Sequence, residues 1–139
     1  MDLIHNEKHL VSLPAAAYTK AGGWVEGAEI DTFGAEGVLV QAVTGDLGDQ
    51  VNVYEIELTA SDTPGAGHVI APDRELIGTD PIFDQGVAED HLAIKTMQYV
   101  GGKRYVKANL KAPTGVGDGG GFIGANILLF NLRNNLETP

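Results

Sequence analysis

Two serines, an aspartate and a histidine are the residues with which this chain could carry out nucleophilic hydrolysis. Ser12 and Ser61 are its only serines. Ser61, Asp62 and His68 are close enough in sequence to be considered as a Ser-His-Asp site. Neither serine stands in the Gly-x-Ser-x-Gly elbow that exposes a nucleophile. The segment "ASDTPGAGH" instead has the turn-formers of a hairpin loop, and we favour the loop.

Glu55 and Glu57 lie two residues apart in a strand-like run, so their side chains share one face. Two carboxylates on one face are the equipment of a glycoside hydrolase. The same pair is also typical of a solvated face, or of a strand whose neighbour is basic. We favour those structural readings and predict that the chain is not an enzyme.

Candidate metal ligands occur without the pattern that a metal site needs. His5 and His9 have the i, i+4 spacing of a helical site, but their segment lacks helical periodicity. The acids of "GDLGDQ" and "TDPIFDQG" resemble calcium loops without the EF-hand spacing, and Asp also caps ordinary turns. The chain has no cysteine, which excludes thiolate ligands. We predict no metal.

The glycine-rich segment "GVGDGGG" contains a Gly-x-Gly-x-x-Gly match from Gly115 to Gly120. Such a motif holds a pyrophosphate only between a strand and a helix. Here it runs into "FIGANILLF", which has the pattern of a strand. We read the glycines as a hairpin loop and predict no cofactor.

The segment "MQYVGGKRYVKANLKA" (Met97–Ala112) concentrates positive charge in an acidic chain. The formal net charge is −10, yet residues 91–111 contain five basic residues and no acid. Lys103, Arg104, Lys107 and Lys111 therefore suggest a nucleic-acid site, an anion site, a strand beside acidic neighbours or a docking surface. Because the net charge repels polyanions, we expect neither a nucleic-acid nor a membrane partner.

The position of Arg104 separates two of the remaining alternatives for this basic segment, a structural strand beside acidic neighbours and a docking surface. Strand alternation sends Lys103, Tyr105 and Lys107 to one face and Arg104 to the other. Burial of Arg104 against a carboxylate such as Asp31 or Glu55 would make the segment structural. Exposure of Arg104 would keep it as a docking candidate.

The elements that must position these residues are predicted to be strands. Apolar and polar residues alternate in "GVLVQAVTG" (Gly37–Gly45) and in "QVNVYEIELTA" (Gln50–Ala60), where a change of phase near Tyr54 suggests a bulge or a two-sided site. The basic segment reads as two strands joined into a hairpin at its "GG". "FIGANILLFNL" reads as a last strand, and Ala88–Met97 has room for one or two helical turns.

These patterns predict one all-β domain over residues 1–139, an antiparallel two-sheet sandwich with the jelly roll as one possible form. Residues 1–13 read as a first strand or as an N-terminal arm that lies on a neighbour, and residues 134–139 as a flexible tail. No stretch has the roughly 18 apolar residues of a membrane span, and the N-terminus lacks a signal-peptide pattern. The predicted core is Val38, Val40, Val51, Val53, Ile56, Leu58, Val106, Leu110, Ile127 and Leu129.

Several stretches, taken in order, resemble the small decoration (cement) proteins and related head proteins of tailed bacteriophages. They are "EIDTFGAEGVLV", "YEIELTASD", "DRELIG", "YVGGKRYVKANL" and "FIGANILLF". The most specific of them is "VGGKRYVKA". The resemblance implies a β-sandwich on the outer surface of a virion capsid, assembled in the host cytoplasm and without a catalytic site.

The function that this resemblance implies is stabilisation of the major capsid lattice. The expected partners are the major capsid protein and further copies of the chain, as a dimer or trimer. The candidate contact residues are Leu3, Ile4, Leu10, Lys103, Arg104 and Lys107. The alternative is a carbohydrate-binding module of a phage tail or fibre, for which Trp24 is the aromatic residue to test.

Overall fold

The computed structural model describes residues 7–19, 23–48, 51–116 and 119–130. Predictions on residues outside these ranges, among them Leu3, Ile4, His5 and the tail 134–139, lie outside the described residues. The strands are β1 (Glu7–Thr19), β2 (Ile30–Asp31), β3 (Gly37–Thr44), β4 (Val51–Ser61), β5 (Val69–Ile70), β6 (Leu76–Ile77), β7 (Ile82–Asp84), β8 (Ile94–Tyr99), β9 (Tyr105–Leu110), β10 (Thr114–Val116) and β11 (Gly119–Phe130).

Two antiparallel sheets form the sandwich that the sequence predicts. The five-stranded sheet has the order β1-β11-β3-β8-β6. In the six-stranded sheet, β4 pairs on one edge with β9 and β10 and on the other with β5 and β7, while β2 pairs with β9. The long strands β3, β4, β8, β9 and β11 alternate between the sheets, as crossing connections in jelly rolls do.

The core confirms the predicted strand alternation. Along β3, Val38, Val40 and Ala42 are buried and the residues between them are half-buried. Of the predicted core, Val53 is only half-buried and the side chain of Val51 lies outside the described residues, whereas the other eight are buried. The buried aromatics Tyr54 and Phe83 were not predicted.

The change of phase near Tyr54 has a different cause from a bulge in β4. The inward positions of β4 continue through Asn52 and Tyr54 without interruption. The irregularity lies opposite them. Ile56 pairs with Leu110 and Val53 pairs with Thr114, so the two residues between Val53 and Ile56 face the three residues between Leu110 and Thr114. Tyr54 points inward in phase with the rest of β4, so the predicted bulge is not in β4. The irregularity lies in the connection from β9 to β10.

The predicted hairpin at "GG" is wrong. β8 belongs to the five-stranded sheet and β9 to the six-stranded sheet, so Gly101 and Gly102 lie in a connection between sheets. Gly102 has a positive φ of 84°, and a side chain at Gly101 would overlap the Tyr99 ring and the Glu75 carboxylate. The "GVGDGGG" segment is likewise not a hairpin, because β10 and β11 lie in different sheets.

The N-terminal segment is a strand where the structure describes it. Glu7–Leu13 belongs to β1, which pairs with β11. Leu10 pairs with Ile127 and packs half-buried against the core, so it is not available as part of an arm.

The predicted helical turn in Ala88–Met97 is a single 3₁₀ turn, Ala88–Asp90. No helix among the described residues is long and apolar enough to cross a membrane.

Ser12 joins the two sheets along one side of the sandwich. The register of β1 with β11 shifts at Ser12, and the Ser12 side chain is fully buried. The Ser12 hydroxyl donates to the carbonyl of Ala28 at 2.8 Å and accepts the N–H of Ala108 in β9 at 2.9 Å. The Ala28 N–H in turn donates to the Ser12 carbonyl at 2.6 Å. We call these contacts the Ser12 seam.

Gly27 lets the chain approach this seam closely. A Cβ at this position would overlap the carbonyl oxygen of Ala108 and would lie 2.7 Å from the Ser12 hydroxyl. The Gly27 N–H donates to the buried Asn109 side chain at 3.1 Å. The segment from Val25 to Asp31 therefore runs along β9, with pairs at Val25 and at β2, and contacts β1 at its middle.

We expect Ser12→Ala to lower the free energy of unfolding by about 1–3 kcal/mol, because it leaves a buried N–H and a buried carbonyl without their shared partner. Chemical denaturation with a tryptophan fluorescence signal measures the change. Thr79→Ala removes the hydroxyl of an exposed residue between β6 and β7 and is the control. Equal midpoints for the two variants would contradict the role given to the seam.

Candidate functional site

Arg104 is exposed and nevertheless has the carboxylate partner that the sequence suggested. Its Nε donates to Oδ1 of Asp31 at 2.7 Å and its terminal nitrogen donates to Oδ2 at 2.8 Å. The two side chains retain 46% and 45% of their accessible surface. The pair is thus a bidentate, charge-assisted one at the surface, which leaves Arg104 a docking candidate.

Two aromatic rings hold the guanidinium of Arg104 in place. Its Cζ lies 4.7 Å from the centroid of the Phe33 ring and 5.2 Å from that of Tyr105. Phe33 is 65% exposed, so most of its ring faces solvent. Cation–π contacts of this kind favour one orientation of the guanidinium over its other rotamers.

The chain around Asp31 forms a short turn whose geometry the sequence encodes. Asp31 ends β2, and its Oδ1 accepts the N–H of Phe33 at 3.0 Å, the pattern of an Asx turn. Gly34 follows with a φ of 84°, which favours glycine. Thr32 donates from both its N–H and its hydroxyl to the carbonyl of Arg104, at 2.8 Å and 2.6 Å.

The electrostatics of the pair follow from its hydrogen bonds. The guanidinium of Arg104 lowers the pKa of the Asp31 carboxyl, and the carboxylate raises the pKa of Arg104 in return. Both groups therefore stay charged across the physiological range. The pair presents an oriented cation rather than a neutral surface.

A cleft of about 380 Å³ opens beside this pair. Its lining includes Phe33, Val100, Lys103 and Arg104. A second cleft of about 350 Å³ is lined by the edge residues Val69 and Ile70 and also by Lys103. Lys103 thus lies between two clefts at one end of the sandwich. We call the exposed surface of Asp31, Phe33, Lys103, Arg104 and Tyr105 the Arg104 surface.

The other predicted contact residues are placed differently. Lys103 precedes β9, and its N–H donates to the hydroxyl of Tyr99 at 3.2 Å. Lys107 lies within β9, and its Nζ is 3.7 Å from Glu26. Lys107 thus contacts Glu26, whereas Arg104 contacts Asp31. The structure brings together Lys103 and Arg104, but not Leu10 or Lys107.

A second cluster of charged residues joins Glu55, Glu57 and Asp80. Carboxylate oxygens of the three residues lie within 4.8 Å of one another, close enough for a cation. Lys111 already balances them, with its Nζ 3.4 Å from Glu55 and 3.8 Å from Glu57. The predicted pairing of acids on β4 with the basic segment is thus present, but Lys111 makes it.

Asp80 is the group in this cluster whose ionisation is most disturbed. Burial, its hydrogen bond with Glu55 and the charges of Glu55 and Glu57 together raise its pKa from 3.8 to about 6. The same two glutamates raise the pKa of Lys111. With Lys111 as its cation, the cluster carries two excess negative charges when all three acids are ionised, and a proton on Asp80 removes one of them.

The proposed hydrolase residues are not brought together. The Ser61 hydroxyl is buried and is bonded within its own loop, to the carbonyls of Thr63 and Ala66. His68 instead lies 2.6 Å from Glu29. β4 and β5 pair on either side of this loop, which confirms that "ASDTPGAGH" is a hairpin loop.

Comparisons with known proteins bear on the fold. No family model matches the chain, and no curated protein matches it. The crystal structure of the SPBc2 prophage-derived protein YomS has a TM-score of 0.50 and 13% sequence identity, over 88% of this chain and 91% of that chain. The K3 cleaved adhesin domain of Lys-gingipain from Porphyromonas gingivalis w83 has a TM-score of 0.37 and 19% identity, over 76% and 60%. The first likeness supports the β-sandwich.

We expect Asp80→Asn to stabilise the protein at neutral pH. A carboxyl whose pKa is raised on folding binds its proton more tightly in the folded state, so stability falls as pH rises from about 4 to 6. Because Asp80 is half-exposed and screened by solvent, the gain should be about 1 kcal/mol at pH 7.5 and should vanish near pH 4.

Urea denaturation at both pH values measures this difference. Asp62→Asn, at an exposed acid outside the cluster, controls for the general loss of one negative charge. A neutral-pH gain of the same size in both variants would show that net charge, rather than the Asp80 cluster, is responsible.

Proposed function

We propose that this chain is a structural protein of a bacteriophage head, a decoration protein that binds the outside of the major capsid lattice. Two observations support the phage assignment. Several sequence stretches resemble head decoration proteins, and the fold is similar to that of a prophage-derived protein. The protein would be assembled in the host cytoplasm and would remain on the virion.

The Arg104 surface is the observation that carries the docking part of this proposal. Arginine and aromatic residues are enriched where protein interfaces gain most of their binding energy. A guanidinium has five N–H donors, and Asp31 takes two of them. Because the Arg104 side chain retains 46% of its accessible surface, we expect donors that Asp31 does not take to reach carboxylates or carbonyls of a capsid subunit.

Preorganisation makes this surface suited to binding. Asp31 fixes the plane of the guanidinium, and the rings of Phe33 and Tyr105 restrict its position. A side chain that is already ordered loses less conformational entropy when a partner binds. Contacts repeated over a symmetric lattice would then add through avidity, so that each copy needs only modest affinity to resist expansion of the shell.

The alternative function is a carbohydrate-binding module of a tail or fibre. Trp24 is 42% exposed and Phe33 is 65% exposed, and exposed rings could stack on sugars. A glycan array separates the two functions: binding that is lost in Trp24→Ala or Phe33→Ala would favour the carbohydrate module, and saturable binding to capsids would favour decoration.

We expect Arg104→Ala to weaken binding to undecorated capsids roughly tenfold or more, as loss of an interface hot spot does. The capsids are shells assembled from the major capsid protein encoded with this chain, and bound protein is measured by co-sedimentation over a concentration series. Arg104→Lys keeps the charge but loses the bidentate fork, and should recover only part of the affinity.

Arg74→Ala is the matched control, because Arg74 is 81% exposed and its contact with Glu75 is 3.9 Å. Equal losses in the Arg104 and Arg74 variants would indicate a general charge effect and would remove the Arg104 surface from the proposal. The absence of saturable binding by the unmodified protein would overturn the decoration function itself.

A further inference from the structure

The outer face of the five-stranded sheet is unusually poor in charge. Residues that pair directly share a face, and the pairs between β11, β3, β8 and β6 identify the outward set. Among the described residues, these four strands place no ionisable side chain there. The set is Phe122, Gly124, Asn126, Leu128 and Phe130 of β11, Gly37, Leu39, Gln41 and Val43 of β3, Ile94, Thr96 and Gln98 of β8, and Ile77 of β6. We call it the neutral face.

The rest of the chain shows how unusual this face is. The protein carries 9 basic and 19 acidic residues, and the six-stranded sheet places Glu55, Glu57 and Lys107 on its own outer side. Antiparallel sheets commonly turn a polar face to water and an apolar one to the core. The five-stranded sheet departs from that pattern, since Ile94 is 64% exposed, Ile77 58% and Phe122 46%.

The neutral face is organised in rows that cross the strands. One row contains Leu128, Leu39 and Gln98, in which Leu128 is already buried at 6% exposure. The row two residues further along each strand contains Asn126, Gln41 and Thr96, and the next contains Gly124, Val43 and Ile94. The middle row is thus polar and uncharged, and the rows on either side of it are mostly apolar.

We propose that the neutral face is the contact between two copies of this chain, packed sheet on sheet about a twofold axis through the row of Gln41. A twofold interface must be complementary to itself. Amides carry both donors and acceptors, so the polar row can pair with its own copy. Rotation about an axis along this row places the row of Leu128, Leu39 and Gln98 opposite the row of Val43 and Ile94 of the other copy.

Charge favours a second copy over other occupants. Two molecules that each carry a net charge of −10 repel one another, and the neutral face is where they can approach without opposing like charges directly. The only ionisable side chains on its border in β1 are Glu7 and His9, among the described residues, and they contact each other at 3.0 Å. A strongly charged partner would find no complementary group here.

The size of the face is compatible with a dimer. β3 has eight residues, β8 six and β6 two, and with the part of β11 on this face, at about 4.8 Å between strands and roughly 3.3 Å per residue, the flat footprint is on the order of 400 Å². Projecting side chains increase the accessible area above that footprint, toward the roughly 600 Å² per partner at which specific interfaces begin. We therefore expect a weak dimer. This inference concerns the chain alone and does not depend on the proposed function.

Sedimentation equilibrium over a concentration series tests the dimer. The unmodified protein should approach twice the mass of the 14.6 kDa chain. Ile94→Lys and Gln41→Glu should each raise the dissociation constant at least tenfold, because both place two like charges in the contact. Ile70→Lys is the matched control, since Ile70 is 60% exposed on β5 and lies outside the neutral face, and it should leave the mass unchanged.

Circular dichroism and thermal melting establish that each variant is folded before its mass is interpreted. A monomer at every concentration, a trimer, or a dimer that neither variant weakens would overturn the proposal. So would a monomer whose binding to capsids is lost in Ile94→Lys but not in Ile70→Lys, because the neutral face would then belong to the capsid contact.

Discussion

The contact of one buried hydroxyl with β9 and with the segment before β2 is the constraint on which much of this structure depends. Ser12 belongs to the five-stranded sheet, but its Oγ accepts from Ala108 of the six-stranded sheet and donates to Ala28. The segment that continues from Ala28 is thereby directed along β9. Asp31 reaches its position beside Arg104 because of this path, so the geometry of the Arg104 surface follows from a contact made at the middle of β1.

Charge is distributed in this protein by sheet and by end of the sandwich. The outer side of the six-stranded sheet carries the Glu55, Glu57 and Lys111 network, and one end presents Arg104 held by Asp31. On the outer side of the five-stranded sheet, the described residues of β11, β3, β8 and β6 include no ionisable side chain. The two proposed contacts, with a second copy and with a capsid subunit, would therefore use surfaces of different chemistry.

The strands were predictable because the strand period is short and local. Burial alternates along Gly37–Thr44 as the sequence pattern indicates. The hairpin prediction was wrong because one local signal is compatible with two structures. The "GG" of Gly101 and Gly102 allows a tight hairpin, but it also allows the connection between the two sheets that this protein has. Tyr54 was missed because its inward position is set by partners elsewhere, including the N–H of Gly121 bonded to its hydroxyl at 2.8 Å.

The candidate sites were predictable only in part, for a related reason. The basic segment was visible as composition, and Asp31 was one of two carboxylates considered for Arg104. Their pairing spans 73 positions of sequence, and the meeting of Asp80 with Glu55 depends on β7 lying beside β4. The signal that could have identified Phe33 is the sequence "DTFG", in which an aspartate and a glycine frame a turn with an aromatic residue at its tip.

The short strands on the side opposite the Ser12 seam affect how the protein behaves when it is crowded. β5 and β6 have two residues each and β7 has three, so none offers a long edge to a strand from another molecule. Lys95 of β8 reaches across this side, with its Nζ 2.6 Å from the carbonyl of Ile82 and 2.9 Å from Asp90. Short edges and a lysine beside them are the means by which β-proteins avoid edge-to-edge pairing. On this side of the sandwich, neighbouring copies can therefore lie close together without pairing edge to edge.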